Sequence, residues 1–185
     1  PLSQMPPTLI NALLASEDRR FYSHWGVNTL SILRAIWESI WFRHRVTATS
    51  TITQQLARML FLTPERSIPR KIKEVLTAVK IEKNYTKEEI LELYLNQAYF
   101  GKGAYGVQAA SQLYFSKNVG DLTISDCAIL VSIPKNPGRY SPLTNPDLSA
   151  RRRNIVLKSM KDFGKLTRHQ ADSLQSFPLE IHTTP

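Results

Sequence analysis

The sequence predicts a mainly α-helical fold, and three observations carry that prediction. Apolar residues recur at three- and four-residue spacing in several long segments. Helix-start signals, a hydroxyl residue followed three positions later by Glu or Gln, stand ahead of some of them. No strand pairs, internal repeats or low-complexity stretches are evident. A chain of 185 residues is long enough for one domain with a proper core.

Pro6-Pro7-Thr8 opens a first helix through Leu9, Ile10, Leu13 and Leu14 that runs into Glu17. There two adjacent carboxylates, Glu17 and Asp18, close the helix, and an aromatic turn with Phe21, Tyr22, His24 and Trp25 ends at Gly26. A carboxylate at a helix C-terminus faces the negative end of the macrodipole. That is an unfavourable place for its charge and suits a proton acceptor; the plain alternative is a solvated helix end.

Thr29 to His44 reads as a second helix, with Leu30, Leu33, Ile36, Trp37, Ile40 and Trp41 at helical spacing and Ile32 and Phe42 widening the stripe. It is either a core helix or an interfacial one, since Trp25, Trp37 and Trp41 beside Arg34, Arg43, His44 and Arg45 have the composition of a segment in a headgroup layer. After a polar loop, Ser50 to Gln55 starts a helix, Thr51 and Gln54 fitting a capping box; such an N-terminus is also a ready anion site. Arg58 follows, and Thr63-Pro64-Glu65 is another start signal before Arg66, Arg70, Lys71, Lys73 and Glu74. Here Ile68, Ile72, Val75, Leu76 and Val79 form a narrow stripe expected to face the core. Arg66, Arg70, Lys73 and Glu74 fall off it, with Glu74 next to Arg70 on the opposite side.

Thr86 and Glu89 cap a helix through Ile90, Leu91, Leu93, Tyr94 and Leu95, ending near Asn96 to Phe100. Gly101 to Gly106 matches G-x-G-x-x-G, but a helix precedes it where the dinucleotide fingerprint needs a strand, so the glycines read as helix C-cap and turn. Further helices are expected over Tyr105 to Phe115, Ser125 to Ile133 and Asp147 to Phe163, the last holding Arg151-Arg152-Arg153. Between them lie a loop at Ser116 to Thr123 and an irregular proline-rich segment from Pro134 to Pro146. Thr167 with Gln170 caps a short final helix, and Phe177 to Pro185 reads as a linker or tail.

Lys and Arg number 24 against 15 Asp and Glu, a net +9, so the partners are anionic: nucleic acid, phosphate esters or an acidic membrane. The lone Cys127 sits in an apolar run and reads as a buried thiol, which leaves no disulfide framework. His24, His44, His169 and His182 show no metal-ligand spacing, so no protein-built metal site is assigned. No uninterrupted apolar run approaches 18 residues. A chain that begins at Pro1, with neither initiator methionine nor signal sequence, looks like a piece of something longer.

Five segments, taken in order, resemble a known family. Glu17-Asp18-x-x-Phe21-x-x-His24-x-Gly26, Ser50-Thr51-Ile52-Thr53-Gln54-Gln55, Arg70-Lys71-x-x-Glu74, Lys87-x-x-Ile90-Leu91-Glu92-x-Tyr94-Leu95-Asn96 and Arg152-Arg153-x-x-Val156-Leu157 are similar to the motifs of the peptidoglycan glycosyltransferases. These are the lysozyme-like domains of class A penicillin-binding proteins and monofunctional transglycosylases. The resemblance runs from about Pro6 to Leu157. It departs at Ala48 and Thr49, where the family usually has glycines.

The resemblance implies a larger helical lobe and a smaller membrane-facing lobe at about 25–50, within a glycosyltransferase domain spanning 1–176 and followed by a tail at 177–185 that is placed for a transpeptidase domain. It implies polymerisation of the lipid-linked disaccharide-peptide precursor, lipid II, into β-1,4 glycan, with inversion and release of polyprenyl pyrophosphate, at the outer face of the bacterial cytoplasmic membrane. Glu17 would be the general base and Glu74 the second acid, near the donor pyrophosphate. Arg34, Arg58, Arg66, Arg70 and Lys73 would be the cations of the cleft, Ser50, Gln54 and Gln55 its polar lining, and Trp37 and Trp41 would face the membrane. Partners would be the precursor, the growing glycan, the membrane surface and a phosphoglycolipid inhibitor of the moenomycin type. No protein-bound cofactor is implied, with a divalent cation such as magnesium at the pyrophosphate left open. Two other classes are weighed: a lysozyme-like hydrolase or lytic enzyme using Glu17 as acid, and a non-enzymatic nucleic-acid-binding helical domain, which would leave the tryptophan stripe unexplained.

Overall fold

The computed structural model describes residues 1–29, 50–61, 67–179 and 181. The chain divides into two compact units, one of 1–19 with 95–185 and one of 20–94. The described residues are mainly helical, as predicted, and hold no β-strand, only an isolated antiparallel bridge between Tyr99 and Tyr105. The expected helix at Thr29 to His44, with Arg34, Trp37 and Trp41, lies outside the described residues beyond Thr29. So do Arg66 and the start signal before it.

In the first unit, α1 (Pro7–Glu17) has proline in its first turn, where no backbone N–H is needed, and buries Leu9, Leu13 and Leu14. Beyond Glu17 the backbone leaves the helix at Asp18 (φ −156, ψ 79), and Arg19 Nε donates to Ala15 O at 3.1 Å, satisfying a last-turn carbonyl. α6 (Ile124–Ser132) is buried from Asp126 to Ser132, and its N-terminus is closed by a capping box between Thr123 and Asp126. Lys117 Nζ joins the Asp126 carboxylate at 2.8 Å. α8 (Pro146–Asp162) contributes Val156, Leu157 and Met160. α1, α6 and α8 pack against one another and form the core of this unit. Each fully buried leucine there contributes about 1.5–3 kcal/mol.

Smaller elements cover that core. α5 (Val107–Phe115) lies on α6, while the single turn α7 (Pro137–Tyr140) and α9 (Arg168–Ser176) lie on α8. α5 starts two residues later than the sequence suggests because Gly106 takes φ 82, ψ 151, which is not helical. A Cβ on Gly106 would stand 2.8 Å from Asn96 O, so glycine is required there. The glycines form a turn, as expected, but not the expected C-cap: α4 (Lys87–Gln97) ends before Gly101, and Gly106 is the N-cap of α5. Arg153 is almost fully buried and donates to the carbonyls of Gln175, Phe177 and Pro178 at 3.3, 2.9 and 3.3 Å. It thus satisfies one carbonyl of the last turn of α9 and two in the segment that follows it.

In the second unit, α2 (Ile52–Phe61) packs on α3 (Ile68–Asn84). A 3-10 turn at Phe21–Ser23 precedes Gly26, whose φ of +96 lets the backbone approach Ala78 O. α4 begins in this unit with the expected box: Thr86 N donates to Glu89 Oε2 at 2.7 Å, and Glu89 N to Thr86 Oγ1 at 3.2 Å.

The orientation of α3 is a correction. Ile68, Ile72 and Leu76, expected to face the core, are 79%, 55% and 58% exposed, while Glu74, expected on the opposite side, is fully buried with Ala78 and Ile81. The buried face carries a carboxylate that two cations neutralise, so it does not show as an apolar stripe.

Candidate active site

Glu17 is the last residue of α1, in the first unit. It is half-buried, and Asp18 beside it is buried. The helix places the Glu17 carboxylate at the negative end of the α1 dipole, as read from the sequence.

The remaining described candidates fall in the second unit. The amino end of α2 is closed by Thr51 and Gln54: Gln54 N donates to Thr51 Oγ1 at 3.1 Å, and Thr51 N to Gln54 Oε1 at 3.2 Å. The box predicted from the sequence is formed, and it uses the Gln54 side-chain oxygen inside the fold. Gln55 reaches back with Nε2 to Ser50 O at 3.3 Å, while Tyr94 Oη donates to Gln55 Oε1 at 3.2 Å. Ser50 and Gln55 are half-buried.

Glu74 is the electrostatic centre of this unit. Arg70 Nη1 meets Glu74 Oε2 at 2.8 Å, and Lys71 Nζ meets the other carboxylate oxygen in a short ion pair. The same ammonium donates to Ser50 Oγ at 2.9 Å. One carboxylate therefore holds two cations, and the cluster keeps a net positive charge. Arg70 Nε is buried and has no hydrogen-bond partner among the described residues. Arg58 on α2 and Lys73 on α3 are exposed.

The structure thus joins Ser50, Gln55, Arg70 and Glu74 through shared partners. Arg58 and Lys73 stand on the surface of the same unit. Lys71 joins the Glu74 cluster, whereas the sequence reading singled out Lys73 and named Lys71 only within the motif Arg70-Lys71-x-x-Glu74. Its spacing of three from Glu74 is a signal that could have found it. Tyr94, named from the sequence only as an apolar helix residue and a member of the fourth motif, donates to Gln55, and its helix position is indistinguishable from that of a core aromatic. Among the described residues no group of three or more His, Cys, Asp or Glu could hold a metal ion.

A family model described as Transglycosylase matches residues 1–161. The chain belongs to the transglycosylase family. This transglycosylase chain is 48% identical over 175 residues to penicillin-binding protein 1A of Escherichia coli, covering 95% of this chain and 21% of that protein. It is 46% identical over 180 residues to penicillin-binding protein 1A of Aquifex aeolicus, covering 97% of this chain and 25% of that protein. Against penicillin-binding protein 1F of Bacillus subtilis the identity is 44% over 181 residues, 98% of this chain and 25% of that one. The chain therefore spans about a fifth to a quarter of the length of these relatives. The crystal structure of penicillin-binding protein 1A from Haemophilus influenzae superposes with a TM-score of 0.51 at 33% identity, over 72% of this chain and 17% of that one. A helical transglycosylase fold accounts for the described residues. Neither the hydrolase nor the nucleic-acid-binding alternative is favoured by these matches.

Proposed function

We propose that this transglycosylase domain polymerises a lipid-linked disaccharide-peptide precursor into β-1,4 glycan. The observation that carries the reading is the Arg70–Glu74–Lys71–Ser50 cluster, a prearranged pair of cations with one buried N–H donor still open. Such a cluster suits a pyrophosphate.

The chemistry divides into two roles. Glu17 takes the proton of the acceptor 4-hydroxyl as that oxygen bonds to the donor anomeric carbon, and a positioned base of this kind contributes roughly 10²- to 10⁴-fold in rate. The bond from that carbon to the phosphate oxygen breaks, the configuration inverts, and polyprenyl pyrophosphate leaves with its electron pair. The leaving group needs charge neutralisation more than a proton. A cation at about 4 Å contributes on the order of 4 kcal/mol at an effective dielectric of 20. In this account Arg70 and Lys71 supply that charge, Arg58, Lys73, Arg34 and Arg66 add to it, and Ser50, Gln54 and Gln55 order the headgroup. Glu74 fixes the cations. Both of its oxygens already accept from them, which makes it a poor metal ligand, so no step is assigned to a divalent ion.

The domain would work against the outer face of the cytoplasmic membrane. No helix among the described residues is long and apolar enough to cross a membrane. Phe61, Ile68, Ile72 and Leu76 instead expose apolar surface on the second unit, which supports contact with a lipid surface; Trp37 and Trp41 are assigned to the same contact. A phosphoglycolipid inhibitor would place its phosphate on the same cations as the donor.

Incubating the chain with the lipid-linked precursor in detergent tests this reading. Glycan strands that a muramidase digests, with release of polyprenyl pyrophosphate, are expected. Cleavage of finished glycan with no synthesis would contradict it.

A further inference from the structure

One polar cluster of the second unit lies outside the roles assigned above. Lys87, the first residue of α4, has a side chain only 19% exposed, and Glu82 near the end of α3 one only 7% exposed. Lys87 Nζ meets Glu82 Oε2 at 2.7 Å and Oε1 at 2.8 Å, donates to His24 O at 2.6 Å, and stands 4.4 Å from the centroid of the Phe21 ring. An ammonium has three protons and no acceptor, so a carboxylate, a carbonyl and an aromatic face saturate it. Glu82 Oε1 also accepts from Thr53 Oγ1, in the first turn of α2, at 2.6 Å.

The same turn is tied to α2 a second time, by Thr51 Oγ1 donating to Gly26 O at 2.7 Å. Gly26 N in turn donates to His24 Nδ1 at 3.1 Å. Four segments are thereby fixed on one ion pair: the Phe21–Gly26 turn, the amino end of α2, the end of α3 and the start of α4. The parts held are the turn that directly follows Glu17 and Asp18 in sequence and the strip from Ser50 to Gln55. A surface lysine that merely solvated a helix start would show neither the burial nor this set of partners.

We propose that Glu82 and Lys87 are positioning residues for glycosyl transfer, setting the register of the Phe21–Gly26 turn against the α2 amino end that carries the substrate lining. The inference rests on the function proposed above. Neither side chain is assigned contact with substrate. Their effect passes through Thr51, Thr53 and His24, and misplacing a positioning element by about 1 Å can cost on the order of a hundredfold in rate.

The test is steady-state polymerisation by the wild-type chain and by Lys87→Met, Glu82→Gln and their double variant, at a temperature where circular dichroism shows each to be folded. The expected result is a kcat lowered by about tenfold or more in each single variant with a smaller change in KM. The double variant should be no worse than either single, since the two residues act as a unit. Alkylating Lys87→Cys with 2-bromoethylamine, which forms a C–S bond and expels bromide, rebuilds an ammonium at the same reach and should restore most of the rate. Lys158→Met, which breaks an exposed ion pair with Asp162, is the control and keeps full activity. Normal kcat in folded Lys87→Met would overturn the proposal, as would failure of the rebuilt ammonium to restore any rate. If Lys87→Met does not fold, Thr53→Val removes only the α2 bond to Glu82. An unchanged kcat in that variant overturns the proposal equally. An inactive wild-type chain would instead remove the underlying assignment of function.

Discussion

Arg70 Nη1 sits 2.8 Å from Glu74 Oε2, on a carboxylate with no solvent exposure at all. The order along α3, Arg before Glu at i,i+4, is the less favourable one for an exposed helical pair. It occurs here because the pair is buried and because Lys71 reaches the second oxygen. Removing one cation leaves a buried charge half-compensated. Arg70→Met is expected to cost about 2–3 kcal/mol in urea unfolding, below the roughly 3–5 kcal/mol of a lone buried pair because Lys71 remains. Arg70→Met with Glu74→Met should recover part of that loss. A cost under about 0.5 kcal/mol for the single change would show that Arg70 does not hold Glu74.

The exposed side of the same helix predicts a membrane effect. Ile72→Asp together with Leu76→Asp alters two side chains that are more than half exposed, so unfolding stability should change by less than about 1 kcal/mol. Partition onto vesicles containing anionic phospholipid should fall about tenfold or more, as expected when two apolar side chains no longer enter the headgroup layer. Unchanged partition in a co-sedimentation assay would remove these residues from the lipid contact.

Burial, with the neighbouring Asp126 carboxylate adding to it, pushes the Cys127 thiol from 9.0 up to about 12. A folded-state pKa above the unfolded one means that the unfolded chain gives up the thiol proton first as pH rises. The associated stability is therefore intact below pH 9 and lost progressively toward pH 12. Between pH 9 and 10.5 the wild type should lose about 1.5 kcal/mol more than Cys127→Ala, measured by urea midpoints at each pH. Parallel curves for the two proteins would show that the thiol ionises as easily folded as unfolded.

Much of the helical order is legible in the sequence because caps are local chemistry. Thr51 with Gln54, Thr86 with Glu89 and Thr167 with Gln170 each declare a helix start three residues apart, and each forms in the fold. The glycines between Gly101 and Gly106 are likewise readable as turn glycines once a helix is seen before them. The face that α3 buries is not legible. Periodicity marks where Ile68, Ile72 and Leu76 align but not whether a core or a lipid surface receives them, and it scores Glu74 as polar whether or not two cations neutralise it. Glu82 is not singled out from the sequence, and Lys87 appears there only as the first residue of the fourth motif, for a related reason. Their partners His24, Phe21 and Thr53 are distant in sequence, apart from the pair itself, and only the fold brings them together.

Everything proposed for catalysis turns on Glu17 accepting the proton of the acceptor hydroxyl. Turnover of the lipid-linked precursor by Glu17→Gln should be compared with wild type, with thermal unfolding followed in parallel. Glutamine keeps the shape and removes the basic oxygen, so a folded protein whose polymerisation rate falls by roughly 10²- to 10⁴-fold is expected. Near-normal turnover by that variant would show that the proton of the acceptor hydroxyl goes elsewhere.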